Sequence, residues 1–174
     1  MRRIAITTAA VAGGGALGAL IRFLTEVGGE AMGFAGWIVI LIINSLGCVA
    51  MGFLFYWLES RLRRDGQGLL RHLHVRHSLQ GTRGILNEDP TLPAPELARF
   101  HHRLATQSGF LLTGLIGGFT TFSSFGLDVV MLIESGRIAE AALDITLSIG
   151  LGITGIVIGL EIGRRTLSQI TPKC

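Results

Sequence analysis

The sequence has little charge and only two cysteines: 16% of its 174 residues are charged, against a hydrophobic content of 49%. Cys48 falls inside a long apolar run and Cys174 is the last residue, so the cysteines do not predict a disulfide. Sparse charge, 25 glycines and a mean hydropathy of +0.55 are unlike a soluble domain of this length. The composition indicates a small protein that crosses a membrane several times.

Four apolar runs, near residues 4–24, 36–58, 108–133 and 138–163, each have about the ~20 residues that a helix needs to cross a hydrocarbon core. We therefore predict an all-α membrane protein with four transmembrane helices, forming a single domain over residues 1–174. The first run could instead be a secretion signal, because two arginines precede it. Its continuation to Arg22 and the three spans that follow favour a membrane helix.

The first run also satisfies the G-x-G-x-x-G pattern at residues 13–18, but it lacks the βαβ context and the acidic residue of a dinucleotide site. Small residues four apart are typical of close contact between membrane helices. We therefore predict packing faces at Gly14 and Gly18 and, in the fourth run, at Gly155, Gly159 and Gly163.

No acidic residue lies in the middle of the first span, since Glu26 falls at its predicted end. Proton-coupled efflux transporters of the four-helix small multidrug-resistance type need an acid there. Its absence counts against this alternative, which we keep as a rival class.

Residues 59–107 contain eight arginines and all five histidines, with little continuous apolar character. They predict a basic, solvated insert near anionic headgroups, with a short helix at residues 69–73 and another over residues 95–104 that leads into the third span. The histidines lack acidic or cysteine partners at ligand spacing, so the insert does not predict a metal site. A non-conducting membrane subunit that recruits a partner through this insert is a second rival.

The third run combines paired glycines with four hydroxyls, interleaved with phenylalanines, in the stretch from Gly117 to Phe125. Adjacent glycines weaken a helix, and Ser and Thr compete for backbone hydrogen bonds. Irregular backbone at membrane depth is tolerated only where it lines a cavity or is buried in protein. The stretch predicts a third helix that is broken mid-membrane and forms a functional site; the alternative is a helix whose small residues serve packing.

This stretch resembles the third-helix break of the Fluc (CrcB) fluoride channels nearly residue for residue. The resemblance extends over residues 4–58 and 108–165, including the first-helix motif that ends at Arg22 and the run Asn44-Ser-Leu-Gly47, but not over the insert. It implies a fluoride-selective channel that exports fluoride passively, not an enzyme. It also implies an antiparallel, dual-topology dimer with two pores.

The resemblance implies a fluoride pathway formed by six residues, which are Asn44, Phe122, Ser123, Ser124, Phe125 and Ser148. Hydroxyl and amide groups are neutral donors, and the edge of an aromatic ring carries partial positive charge, so both suit a small anion. The carbonyls of Gly117 and Thr120 are implied as ligands of a structural Na⁺ at the dimer interface. Arg22 is expected to be structural, and Ile40 stands where the family usually has a threonine.

Asp144 stands where the family commonly has tyrosine or asparagine. An ionised acid in the path would oppose fluoride by roughly 4 kcal/mol at about 4 Å with an effective dielectric of about 20. We therefore expect Asp144 to be neutralised. A salt bridge with Arg22, a protonated acid and a pore silenced on this side are all open, as is an Asp turned to headgroup water.

Basic residues are distributed unequally: two precede the first span, eight lie in the insert and three follow the fourth span, that is thirteen of the 15 Lys and Arg. The positive-inside rule predicts cytoplasmic termini and insert in the cell (inner) membrane. So strong a bias leaves open a homodimer or a heterodimer with an oppositely oriented homologue. We expect fluoride and lipid, but no nucleic acid, as partners.

Overall fold

The structure is a computed structural model that describes the backbone of residues 2–80 and 102–168, and the side chains of residues 4–61 and 102–167. Every regular element in these ranges is helical. They are α1 (Arg2–Ala31), α2 (Gly36–Gln80), α3 (residues 102–119), α4 (Phe122–Glu134) and α5 (Ile138–Ser168). The middle of α3, Gly109–Ile116, is a π-helix, and a last α-helical turn follows at Gly117–Phe119.

Four stretches are long and apolar enough to cross a membrane: Ile4–Ala31, Gly36–Arg61, His102–Glu134 and Ile138–Leu167. The third stretch contains both α3 and α4. The part of the chain that the structure describes is therefore all-helical, and its four spans make the chain a multi-pass membrane protein. This part of the sequence prediction is confirmed.

All four spans extend beyond the runs from which they were predicted, and the extensions of α1 and α2 bear on the site and the insert. α1 continues past residue 24 to Ala31 and ends before Gly33, whose φ of 83° favours glycine. α2 continues without interruption to Gln80, through residues that we interpreted as solvated connection, so the short helix at residues 69–73 is part of α2. Hydropathy marks where a helix leaves the apolar core, but it does not mark where the helix ends. Residues 59–80 contain no proline that would end α2. The predicted helix at residues 95–104 lies mostly outside the described residues.

The glycine faces bring two pairs of helices into backbone contact, as predicted. A Cβ atom built on Gly14 would overlap the Phe110 carbonyl oxygen of α3, and one on Gly18 would overlap the Leu115 oxygen. On the other side, a Cβ on Gly159 of α5 would overlap the Val49 oxygen of α2. These contacts hold α1 against α3 and α5 against α2.

A small apolar core packs the third span against α2. Val39, Ile40 and Ile43 of α2 are buried together, and Phe119 and Phe125 pack against them. Ile40, which stands where the family usually has a threonine, thus contributes to packing. The core fixes the residues on both sides of the gap between α3 and α4.

Candidate functional site

The site is built around two extended residues, Thr120 and Thr121, which separate α3 from α4. Thr120 has ψ of 153°, and Thr121 has φ of −146° and ψ of 123°. α3 is nevertheless closed in the ordinary way, because the Thr120 N–H and its hydroxyl both donate to the Ile116 oxygen, at 2.9 and 3.0 Å. The irregular backbone is therefore confined to one dipeptide.

Asn44 of α2 satisfies the backbone of this dipeptide. Its Oδ1 accepts from the Thr121 N–H at 2.9 Å, and its Nδ2 donates to the Thr121 oxygen at 3.0 Å. One side-chain amide thus replaces both backbone hydrogen bonds of Thr121. A Cβ on Gly47, one turn along the same helix, would overlap the Thr120 methyl group, so glycine leaves the room that the extended chain needs.

Thr121 also caps α4. Its buried hydroxyl accepts from the Ser124 N–H at 3.2 Å, and it lies 3.2 Å from the hydroxyls of both Ser123 and Ser124. A threonine at this position satisfies one of the free N–H groups of the first turn. The clustered hydroxyls therefore have a structural use in starting the second half of the span.

These bonds redirect the donors of two carbonyl groups. In a continuous helix Gly117 O would accept from the Thr121 N–H and Thr120 O from the Ser124 N–H. Those N–H groups donate instead to Asn44 Oδ1 and to the Thr121 hydroxyl. Carbonyl oxygens that lose helical donors suit a hard cation, so Gly117 and Thr120 fit the expected Na⁺.

A cavity of about 380 Å³ opens beside the interruption, between α2, α4 and α5. Four of the six residues predicted for the ion pathway line it, namely Asn44, Phe122, Phe125 and Ser148. Much of the remaining wall is apolar, and Cys48 and Thr121 contribute to it. Ser123 and Ser124 are not among its lining residues.

Phe122 and Phe125 stand one turn apart at the cavity. Their ring centroids are 5.6 Å apart and the rings are tilted by 49°. Phe125 is held by the apolar core of α2, whereas 83% of Phe122 is exposed in the protomer. Phe122 therefore offers its ring to the cavity and to whatever lies beyond this chain.

Ser148 reaches the cavity from α5, one turn after Asp144. Its hydroxyl donates to Asp144 Oδ1 at 3.0 Å. Asp144 is only 1% exposed, and its Oδ2 has no hydrogen-bond partner in the described part of the chain. The interpretation of Asp144 as a group turned to headgroup water is therefore wrong.

The salt bridge that we considered between Arg22 and Asp144 is also not formed. Arg22 lies 3.7 Å from Glu26 and donates to the Ser124 hydroxyl at 3.4 Å. Because α1 continues to Ala31, Glu26 lies one turn from Arg22 on the same helix and is a nearer partner. The contact with Ser124 joins α1 to the start of α4, and the structural role of Arg22 stays a prediction.

Sequence reasoning missed a second, acidic cavity of about 150 Å³. Glu26, Glu30, Ser124 and Asp128 are among the residues that line it. Asp128, an acid inside the third apolar run, was the available signal. No group of His, Cys, Asp and Glu suited to a metal occurs among the described residues, and the described His102 contacts Thr106. The other four histidines of the insert lie outside the described side chains.

Comparisons with known proteins agree on one family. The family model described as "CrcB-like protein, Camphor Resistance (CrcB)" matches residues 9–160. A fluoride-specific ion channel FluC of Roseobacter denitrificans is 33% identical over 159 residues, which cover 88% of this chain and 92% of that protein. One of Rhodospirillum centenum, with the same name, is 36% identical over 160 residues, covering 91% and 96%.

Replacing Asn44 by alanine is expected to destabilise the protein. It removes both bonds to Thr121, and each buried backbone group left without a partner costs about 1–3 kcal/mol. Ser45→Ala is the matched control, because the Ser45 hydroxyl only donates to the Leu41 oxygen within α2. Thermal unfolding in detergent should show a clearly lower midpoint for Asn44→Ala alone; equal midpoints would contradict the role given to Asn44.

Proposed function

Because the chain belongs to the CrcB-like family, we propose that it is a fluoride-selective channel that lets fluoride leave the cell passively and so relieves fluoride toxicity. The observation that carries the proposal is the cavity beside Thr121, where neutral donors and two phenylalanine rings meet. As a member of a channel family, the chain is not an enzyme.

The chemistry of the cavity suits a small, strongly hydrated anion. Asn44 Nδ2 has a second hydrogen with no bond partner in the described part of the chain, so it is free to donate. The ring edges of Phe122 and Phe125 carry partial positive charge and attract an anion weakly. Several weak neutral sites in series let an ion enter and leave, whereas a lysine or arginine would retain it.

The serines have separate parts in this proposal. Ser123 is exposed and its hydroxyl lies beside that of Thr121, which places a donor at the start of α4. Ser124 receives the Arg22 hydrogen bond and lines the acidic cavity, not the large one, so its place in the proposed pathway rests on the family resemblance alone. Ser148 belongs to the large cavity, with its hydrogen directed at Asp144.

We further propose a structural Na⁺ on the carbonyl oxygens of Gly117 and Thr120. An oxygen-only site suits a hard cation, and the ion would neutralise carbonyl dipoles that have lost their helical donors. Two carbonyls are too few for a full coordination shell. A second, antiparallel copy would supply a matching pair, which supports placing the ion at a dimer interface and the interruption near the middle of the membrane.

The orientation proposal follows from charge. Thirteen of the 15 Lys and Arg precede α1, lie in residues 59–107 or fall in the last eleven residues, so the termini and insert are assigned to the cytoplasmic side of the inner membrane. A homodimer is the simpler assembly. The strong bias supports a heterodimer with an oppositely oriented homologue as its competitor.

The fold supports neither the proton-coupled transporter nor the non-conducting subunit. Glu26 and Glu30 lie in the last two turns of α1, not at its centre, so α1 has no buried acid at the position that a proton-coupled transporter would need. A non-conducting subunit would have no need of the donors that line the large cavity.

Replacing Phe122 or Phe125 by isoleucine should suppress fluoride flux. Bulk is retained while the polarised ring edge is lost, and about 1.4 kcal/mol at the barrier corresponds to a tenfold slower rate. Phe55→Ile is the control, because Phe55 is an exposed α2 residue outside the cavity. Fluoride efflux from liposomes without a proton gradient is the measurement. Unchanged flux in both cavity variants would remove the proposed role of the rings.

Labelling of Cys174 in intact cells tests the orientation. In a Cys48→Ser background Cys174 is the sole thiol of the chain. Predominantly one-way insertion predicts that an impermeant thiol reagent reaches Cys174 only after the cells are opened. Comparable labelling of intact and opened cells would favour the dual-topology homodimer.

A further inference from the structure

We propose that Asp144 positions the Ser148 hydroxyl and thereby makes fluoride flux depend on protonation of this carboxyl group. The inference rests on the proposed function of the chain. Its basis is the bond between a buried acid and a hydroxyl that lines the large cavity.

When Asp144 is ionised, only Ser148 can supply the hydrogen of the bond between them, because a carboxylate has none. The Ser148 hydrogen is then directed at Asp144 Oδ1, 3.0 Å away. Ser148 presents lone pairs to the cavity, and a negative charge lies behind it. Both effects oppose an anion.

When Asp144 takes up a proton from a hydronium ion, one O–H bond of the hydronium breaks, a carboxyl O–H bond forms, and the charge of Asp144 changes from minus one to zero. The new O–H can donate to Ser148 Oγ, which frees the Ser148 hydrogen to turn towards the cavity. After protonation of Asp144, Ser148 presents a hydrogen-bond donor to the cavity, whereas before protonation it presented an acceptor. The exchange needs only rotation of a hydroxyl group and no movement of a helix.

Other acidic side chains, which carry negative charge when ionised, lie in the surroundings of Asp144. Asp128 of α4 interacts electrostatically with Asp144, and Glu26 and Glu30 of α1 interact with Asp128. α2 has no charged residue between Gly36 and Leu58, and on α5 Glu140 is paired with Arg137. Within the described side chains, no cation is paired with Asp144 to compete with a proton.

The test is fluoride efflux from liposomes over a series from mildly acidic to mildly alkaline pH, with the leak of protein-free liposomes subtracted because undissociated acid crosses lipid. Wild-type flux should rise towards acid. Asp144→Asn should be about tenfold faster than wild type at alkaline pH and independent of pH, because the amide donates to Ser148 as the protonated acid does. Gel filtration of each variant checks assembly.

Two further variants separate the hydrogen bond from charge alone. In a Ser148→Ala background, Asp144→Asn should accelerate flux clearly less than it does when Ser148 is present, because only the charge effect remains; an undiminished acceleration would overturn the positioning role. Asp128→Asn removes a nearby charge without contacting Ser148 and should keep the pH dependence. A wild type that passes fluoride equally at every pH, with no gain in Asp144→Asn, overturns this inference alone. An absence of flux from all variants overturns the proposed function as well.

Discussion

The pair of hydrogen bonds between the Asn44 side chain and the backbone of Thr121 is the constraint on which the site depends. Inside a membrane no water is present to satisfy an interrupted helix, and each unsatisfied backbone group costs several kcal/mol. The Asn44 amide satisfies both the N–H and the carbonyl oxygen of Thr121, and Gly47 leaves space for the neighbouring Thr120. An interruption that would otherwise be disruptive becomes a fixed part of the fold.

The same redirection of donors creates the features on which the proposed function depends. Gly117 and Thr120 lose their helical donors and become candidates for a cation, while the turn that begins at Phe122 presents two rings to the cavity. The glycine contacts of α1 with α3 and of α5 with α2 hold the frame around these residues. Polar groups are few, and most of those at the site serve both the fold and the proposed ion path.

The four spans and the glycine faces could be predicted, because a helix needs a fixed apolar length to cross a bilayer and close backbone approach excludes a Cβ atom. The hydrogen-bond partner of Asp144 could not be predicted in this way. With the first span predicted to end near residue 24, Glu26 was not considered as a partner of Arg22, and Asp144 was considered instead. Because α1 continues to Ala31, Glu26 lies one turn from Arg22. The partner of Asn44 is a backbone group, and no pattern of side chains reveals it. The end of α2 was missed because hydropathy does not mark where helical backbone stops.

Cys48 gives the most direct test that the large cavity lies on the ion path, because this thiol lines the cavity. In a Cys174→Ser variant it is the sole cysteine, so the extent of its reaction with a small methanethiosulfonate can be measured by mass spectrometry. Fluoride efflux from liposomes should fall in proportion to the modified fraction, and a variant that lacks both cysteines should be unaffected. Complete modification of Cys48 with unchanged fluoride efflux would contradict the account.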